Sequence, residues 1–338
     1  MNNKFFLFLI SFFIFFASCG SSEYYEPESP RHQIIVLYSP GGLGDNGYND
    51  CILKGIQTFR KNYSEEVDMY QYQPSNLEEA ERILSDWLGL PESNVPALFI
   101  AASSDYENLA INLTQTSPLT SNKRMLLFES SLKNMTFSTF RISMFGASYL
   151  AGISAWQLNC EKVLTVLANS YDLPIACAAD GFSMGFKDAG GLFNDIVYLA
   201  EDWTGYIASE LTYQKMEDWS HNFDFIFPVA GGSNSGIYKF SREYPQSSPI
   251  LAGMDIDQSN LSSHIAGSVI KEIDKTIYDY IYSWYSTGEL PESSFLGLST
   301  GDCLWLPSSG FFEILDPILS VNNITAIQRE LEYEAEYN

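Results

Sequence analysis

Positive charge is scarce in this chain. Eighteen lysines and arginines stand against 42 aspartates and glutamates, a formal net charge of −24. That balance opposes binding to nucleic acid or to anionic lipid headgroups, so neither is expected. Histidine is scarcer still. His32, His221 and His264 show no metal-ligand spacing, so no metal centre is expected. Cysteine is sparse too. Cys51 and Cys177 fall in apolar helical contexts where buried thiols are common. With Cys160 and Cys303 they could pair in an exported protein, but no disulfide framework is expected. There is no phosphate-cradling P-loop and no tandem repeat of short period. Gly231-Gly232-Ser233-Asn234-Ser235 ends in Ser where a nucleophile elbow needs Gly. A pair of acids at strand ends could serve glycoside chemistry. Acids that bind hydroxyls or cap helices explain them more simply. No enzyme and no cofactor are expected.

Only one long apolar run exists, Phe5 to Phe16, after a single positive charge at Lys4. It is short for a bilayer span, which takes roughly 20 residues. Ala17-Ser18-Cys19-Gly20 then has the small-residue-plus-Cys pattern of a bacterial lipobox, with Phe16 where Leu is usual. Residues 1–18 read as a lipoprotein signal peptide, Cys19 as the lipidated residue, and 19–32 as a flexible tether. A plain secretory signal is the other reading. The lipid would be the membrane contact, in the cell envelope facing the periplasm or exterior.

What is plentiful is aromatic residues, 15% of the chain with 21 tyrosines, and alternating strand and helix patterns. The organising stretch is Ser39 to Asn49. It follows the apolar run Ile34 to Tyr38, which reads as a buried strand. It precedes Cys51 to Tyr63, a helix with Ile52, Leu53, Ile56 and Phe59 on one face. Gly-rich turns between strand and helix are where α/β proteins approach ligands. Gly42, Gly44 and Gly47 spell the dinucleotide fingerprint, which would make the chain an NAD-dependent oxidoreductase. Ser39 to Gly41 intervene after the strand, and Asp45 stands where a pyrophosphate would need neutral or positive surroundings. The competing reading is a small-molecule loop. There Tyr48 offers a flat face, and Asp45 and Asn49 offer hydrogen bonds. Structural roles stay open for both Tyr48, packed on the sheet edge, and Asp45, capping the helix.

Strands are expected at Val67–Tyr72, Ala97–Ala101, Met125–Phe128, Val163–Ala168, Ile196–Ala200, Phe223–Ala230 and Pro249–Met254. Helices are expected after Asn76, at Ala147–Leu158, at Pro174–Asp188, from Gly205 onward, and over Lys271–Tyr285. Asn76 and Glu79 have capping-box spacing. Two α/β lobes with mainly parallel sheets follow. The first would take 33–140 plus about 255–290, the second 141–254 plus about 291–325. Ligands bind such lobes at the carboxyl ends of the strands. The polar residues there are Ser39, Asp45, Tyr48, Asn49, Ser103, Asp105, Glu129, Asp172, Asp202, Trp203, Gly231, Gly232, Asp255 and Asp257.

Six motifs, in order, resemble one family. They are Gly41-Gly42-Leu43-Gly44-Asp45-Asn46-Gly47-Tyr48-Asn49, Ser148-Tyr149-Leu150-Ala151-Gly152, Gly181-Phe182-Ser183-Met184-Gly185, Gly231-Gly232 with Gly236, Gly253-Met254-Asp255-Ile256-Asp257-Gln258, and Ser268 to Lys271. The chain is similar to the basic membrane protein family of ABC-transporter substrate-binding lipoproteins, which includes purine-nucleoside binders. The likeness spans about Ile34 to Lys275. It implies a type I periplasmic-binding-protein fold, two lobes closing on a small-molecule ligand across a hinge, with an ABC permease as partner. It implies Tyr48 stacked on a base, Trp203 on its other face, Asp105 near the base, Asp255 on ribose hydroxyls and Lys271 in the pocket. Ser39, Tyr48 and Ala176-Cys177-Ala178 depart from the family pattern, all near the pocket. A ligand-sensing surface lipoprotein without transport has the same implied fold.

Overall fold

A computed structural model of the chain describes residues 31–64, 66–133 and 135–337. The expected signal segment and Cys19 lie outside the described residues, as does most of the tether. Its last two residues belong to the fold, which corrects the expected boundary at 32. Arg31 Nη2 donates to Ser64 O and Val67 O, and Arg31 Nε pairs with Asp68 at 3.1 Å. His32 already opens the first strand.

The first lobe runs β1 (His32–Tyr38), α1 (Tyr48–Tyr63), β2 (Val67–Tyr72), α2 (Leu77–Gly89), β3 (Ala97–Ala102), α3 (Glu107–Thr116), β4 (Lys123–Phe128) and β5 (Ser138–Ile142). The chain continues as α4 (Phe145–Gln157), β6 (Val163–Asn169), α5 (Leu173–Asp188), β7 (Asn194–Ala200), α6 (Ser209–Asn222), β8 (Phe225–Val229), α7 (Asn234–Glu243), β9 (Ile250–Asp255) and β10 (Ile265–Lys271). It ends with α8 (Ile273–Thr287), β11 (Ser294–Leu296), β12 (Cys303–Pro307) and α9 (Phe312–Tyr337). One sheet has the order β2-β1-β3-β4-β5-β11, the other β7-β6-β8-β9-β10-β12. Every pairing is parallel except β10 with β12. Central strands read as unbroken apolar runs because helices cover both faces; all six residues of β3 are buried.

Local chemistry fixes the helix ends. Asn76 Oδ1 accepts from Glu79 N at 2.9 Å and starts α2. Glu79 turns back one residue further than the capping box requires, to Ser75 N and Oγ, both at 2.8 Å. In the second lobe α4 and α5 meet backbone to backbone. A Cβ at Gly185 would stand 1.9 Å from Tyr149 O, and one at Gly152 2.2 Å from Phe182 O. Phe182 stacks on Phe227 beneath this seam, with ring centroids 4.5 Å apart. Cys51, Cys160, Cys177 and Cys303 are free thiols, all buried.

The chain passes between the sheets three times: at Ser143–Met144, at Glu272, and through 297–302. These passages correct the expected lobe limits. Strand β10 was expected in the first lobe but pairs with β9 in the second sheet. Strand β11 was expected in the second lobe but pairs with β5 in the first. Lys271 was expected on a helix and instead ends β10; α8 starts two residues later. The helix expected from Gly205 is a short 3₁₀ turn, Trp203–Ile207, followed by α6. Asp202 caps that turn by accepting from Thr204 N at 3.0 Å.

Candidate functional site

Each sheet reverses its order beside its first strand. β1 lies between β2 and β3, and β6 between β7 and β8. Loops at the carboxyl ends diverge at such a point and leave a crevice. The two crevices face each other and enclose one cavity. The centre of a water molecule can reach about 80 Å³ there. That is room for several waters, since one needs about 10–15 Å³ on this measure.

All ten candidate residues lie in its wall: Ser39, Asp45, Tyr48, Asn49, Asp105, Trp203, Gly231, Gly232, Asp255 and Lys271. Ser103, Glu129 and Asp172 from the strand-end set join them; Asp202 and Asp257 do not. Asp257 accepts from Ser259 N in its own turn, at 2.9 Å. Sequence reasoning missed Ser104, Met144, Pro174, Ile175, Tyr206, Val229 and Met254. Tyr206 could have been found as the aromatic three residues after Trp203. The apolar members carry no sequence signal that separates them from core.

The loop after β1 spends most of its polar groups on itself. Asp45 accepts from Gly47 N at 3.0 Å, Asn49 N at 2.8 Å and Asp50 N at 3.2 Å. Asp50 accepts from Gly44 N and Asn46 N, both at 2.9 Å. Asn49 Nδ2 donates to Ser39 Oγ at 2.8 Å and to Asp45 Oδ2 at 3.1 Å. The amides of the loop and of the first turn of α1, where a dinucleotide pyrophosphate would sit, are therefore taken by two carboxylates. The glycine pattern does not make a phosphate cradle here. Asp45 thus takes first-turn amides of α1, the capping role left open for it, and it also lines the cavity.

Tyr48 begins α1 and forms one wall. Trp203 and Tyr206 come from the other lobe. Gly231 has φ +52°, and a Cβ there would meet Tyr206 at 2.9 Å, so only glycine lets that ring close over the cavity. Tyr206 Oη donates to Asp172, and Ser104 Oγ reaches the same carboxylate from the first lobe at 3.4 Å. At the floor Lys271 forms a buried ion pair with Glu129 of the opposite lobe. Its ammonium lies 5.3 Å from the Tyr48 ring centroid. Glu129 and Asp255 both have left-handed backbone, φ +55° and +68°. Such strain persists where surrounding contacts over-determine it. Tyr48 Oη and Glu129 Oε2 are buried without a hydrogen-bond partner in the protein.

The cavity is acidic. Burial, with Asp45 and Glu129 adding like charge, pushes the Asp255 carboxyl up to about 7; Lys271 and the Tyr48 amide oppose this. Burial pushes Asp172 up to about 6, against its bond from Tyr206. Burial also raises Asp45 and Asp105. Burial works against the Lys271 ammonium, but Glu129 and Asp255 more than offset it, and its pKa is raised. Lys271 is the sole base in the wall, and Glu129 neutralises it. The wall can accept hydrogen bonds from hydroxyl and amino groups. A phosphate or carboxylate would meet uncompensated acids.

Two α/β lobes whose switch points share a cavity define a two-lobed ligand-binding protein of the type I periplasmic class. The chain belongs to the Bmp family: the family's model, described as ABC transporter substrate-binding protein PnrA-like, matches residues 32–303. Membership implies a small-molecule ligand and a transporter permease as partner. No curated protein matches the chain. Among solved structures it resembles an ABC transporter solute-binding protein from Aeropyrum pernix K1. The TM-score is 0.69 at 16% identity, over 88% of this chain and 90% of that one. It also resembles a transcriptional activator of the comK gene from Bacillus halodurans, with TM-score 0.64 at 15% identity, over 88% and 98%. A LacI family regulator from Enterococcus faecalis V583, solved with bound ribose, gives 0.58 at 13% identity, over 81% and 96%. At these identities the likeness is one of fold. No helix among the described residues is long and apolar enough to cross a membrane.

Proposed function

We propose that this protein is the lipid-anchored capture component of an importer, and that its ligand is a nucleoside or a close relative. The observation that carries the reading is the wall itself: it joins Tyr48 from one lobe with Trp203, Tyr206 and the buried Asp255 from the other. Aromatic walls suit a flat ring. A buried carboxylate suits sugar hydroxyls, which donate to it. The cavity's surplus of acids favours an uncharged ligand over a nucleotide. Tyr48 stands in for the phenylalanine that the family pattern carries.

Capture works by closure. Ligand bridging both walls adds to contacts that already cross the cleft: Lys271 with Glu129, and Gln258 Nε2 donating to Asn46 O at 2.8 Å. Only the closed arrangement offers these together, so ligand shifts the lobes towards it. Cys19 would tether the protein beside its permease.

Mass spectrometry of the small molecule released from the purified protein tests the reading. The expected result is a nucleoside mass in near-stoichiometric amount. Release of a phosphate ester or a free carboxylic acid overturns it.

A further inference from the structure

Helix α9 belongs to the second lobe, packed on α4 and β12. It lies beyond the stretch that the family's model matches, and it lines no part of the cavity. It nonetheless buries two carboxylates against the passages between lobes. Glu330 is 0% exposed. Its Oε1 accepts from Gly146 N at 3.1 Å, just beyond the first passage. Its Oε2 accepts from Leu298 N at 2.9 Å and Ser299 N at 3.4 Å, within the third. A Cβ at Gly297 would stand 2.7 Å from this carboxylate, so the passage is shaped around it.

One turn later comes Glu334, 4% exposed. It pairs with Arg141 of β5, which is first-lobe structure, and accepts from Ser143 Oγ at 2.9 Å in the first passage. A buried charge is costly unless paired. Here two such charges sit on one helix, and their partners are the segments that must flex when the lobes part. Ordinary packing of α9 on its own lobe needs neither.

We infer that Glu330 and Glu334 are positioning residues for ligand capture: they hold the first and third passages in the arrangement that brings the cavity walls together. The energy of these contacts is then part of the resting balance between open and closed lobes. A protein whose competent state is partly populated binds more weakly in proportion. Release of either carboxylate opens the cleft without touching a ligand contact.

Hydrogen–deuterium exchange on the full-length, ligand-free protein tests this and needs no knowledge of the ligand. Glu334→Gln keeps the shape and removes the charge. Peptides covering 44–50 and 255–262, which meet across the cleft, should exchange about threefold faster or more, while β3 and β8 keep wild-type rates. Adding Arg141→Gln removes the stranded charge but does not restore the pair, so the cleft peptides should stay fast; a return to wild-type rates would mean that the stranded charge alone opened the cleft and overturns the proposal. Should Glu334→Gln fail to fold, Glu330→Gln is read instead, with the same expectation at the cleft. Faster exchange confined to α9, or raised alike in β3 and β8, overturns the proposal and leaves α9 as packing alone.

Discussion

Asp255 gives the sharpest test of the cavity, because its protonation state links ligand, fold and pH. The perturbation is Asp255→Asn, read across pH. In the folded, ligand-free protein the carboxyl is pushed up to about 7, from an unperturbed value near 3.8. The groups that set this are close at hand: Lys271, Asp45, Glu129 and the Tyr48 amide. A ligand hydroxyl donates far more strongly to the ionised form than to the neutral acid, so tight binding is coupled to loss of the proton. Apparent affinity for adenosine or inosine then falls by about 25-fold from about pH 7.5 to about pH 5.5. Asp172, at about 6, steepens the acid end. Titration calorimetry in buffers of different ionisation enthalpy reads both affinity and proton release. The same shift acts on stability in the opposite sense. An acid whose folded pKa is raised stabilises the fold when protonated, so that contribution is full at low pH and is lost as pH rises through about 7. The loss between about pH 5 and about pH 8 is about 3 kcal/mol. Asp255→Asn lacks it, so the wild-type and variant melting curves should converge towards acid and separate towards base. Affinity that is flat with pH, or a pH dependence that survives in Asp255→Asn, refutes the reasoning.

Tyr48→Ala should weaken nucleoside binding about tenfold or more, since stacking on a base is worth about 1–3 kcal/mol; unfolding of the ligand-free variant with unchanged affinity of its folded fraction would make Tyr48 structural. Lys271→Met strands Glu129 in the interior and should cost about 3–5 kcal/mol in urea unfolding, most of it recovered by adding Glu129→Leu; a cost below about 1 kcal/mol would mean the pair is solvated. Cys19→Ala should move the protein out of the membrane fraction, and an uncleaved variant still in that fraction would end the lipoprotein reading.

Much of this architecture is legible before any coordinates. The run Ile34 to Tyr38, the glycine loop and the helix after it form one local pattern, and local patterns survive folding. The ten candidate residues meet because strand ends meet in a parallel sheet, a rule that needs only strand order. What failed was of another kind. Lys271 follows Ile265-Ala266-Gly267-Ser268-Val269-Ile270, where small residues blur the strand signal into the helix beyond. The short strands β5, β11 and β12 owe their state to tertiary neighbours rather than propensity. Asp45 kept two readings open because a capping acid and a ligand-binding acid look alike in one dimension. Glu330 and Glu334 look like surface residues on an acidic helix; nothing in their spacing announces that distant backbone amides converge on Glu330 and that Arg141 and Ser143 meet Glu334.

The four cysteines of the described residues have a practical consequence. Each is sealed: Cys51 6% exposed, Cys160 2%, Cys177 3% and Cys303 0%. Burial pushes the thiols of Cys51 and Cys160 up to about 12 and that of Cys177 to about 11. Thiolate is the reactive species, so these four thiols are close to inert towards alkylating reagents in the native fold. Cys51 sits on the buried face of α1 in the first lobe; the others sit in the second. The chain thus carries its own set of silent reporters. A pulse of iodoacetamide during unfolding, followed by peptide mapping, records which lobe gives way first.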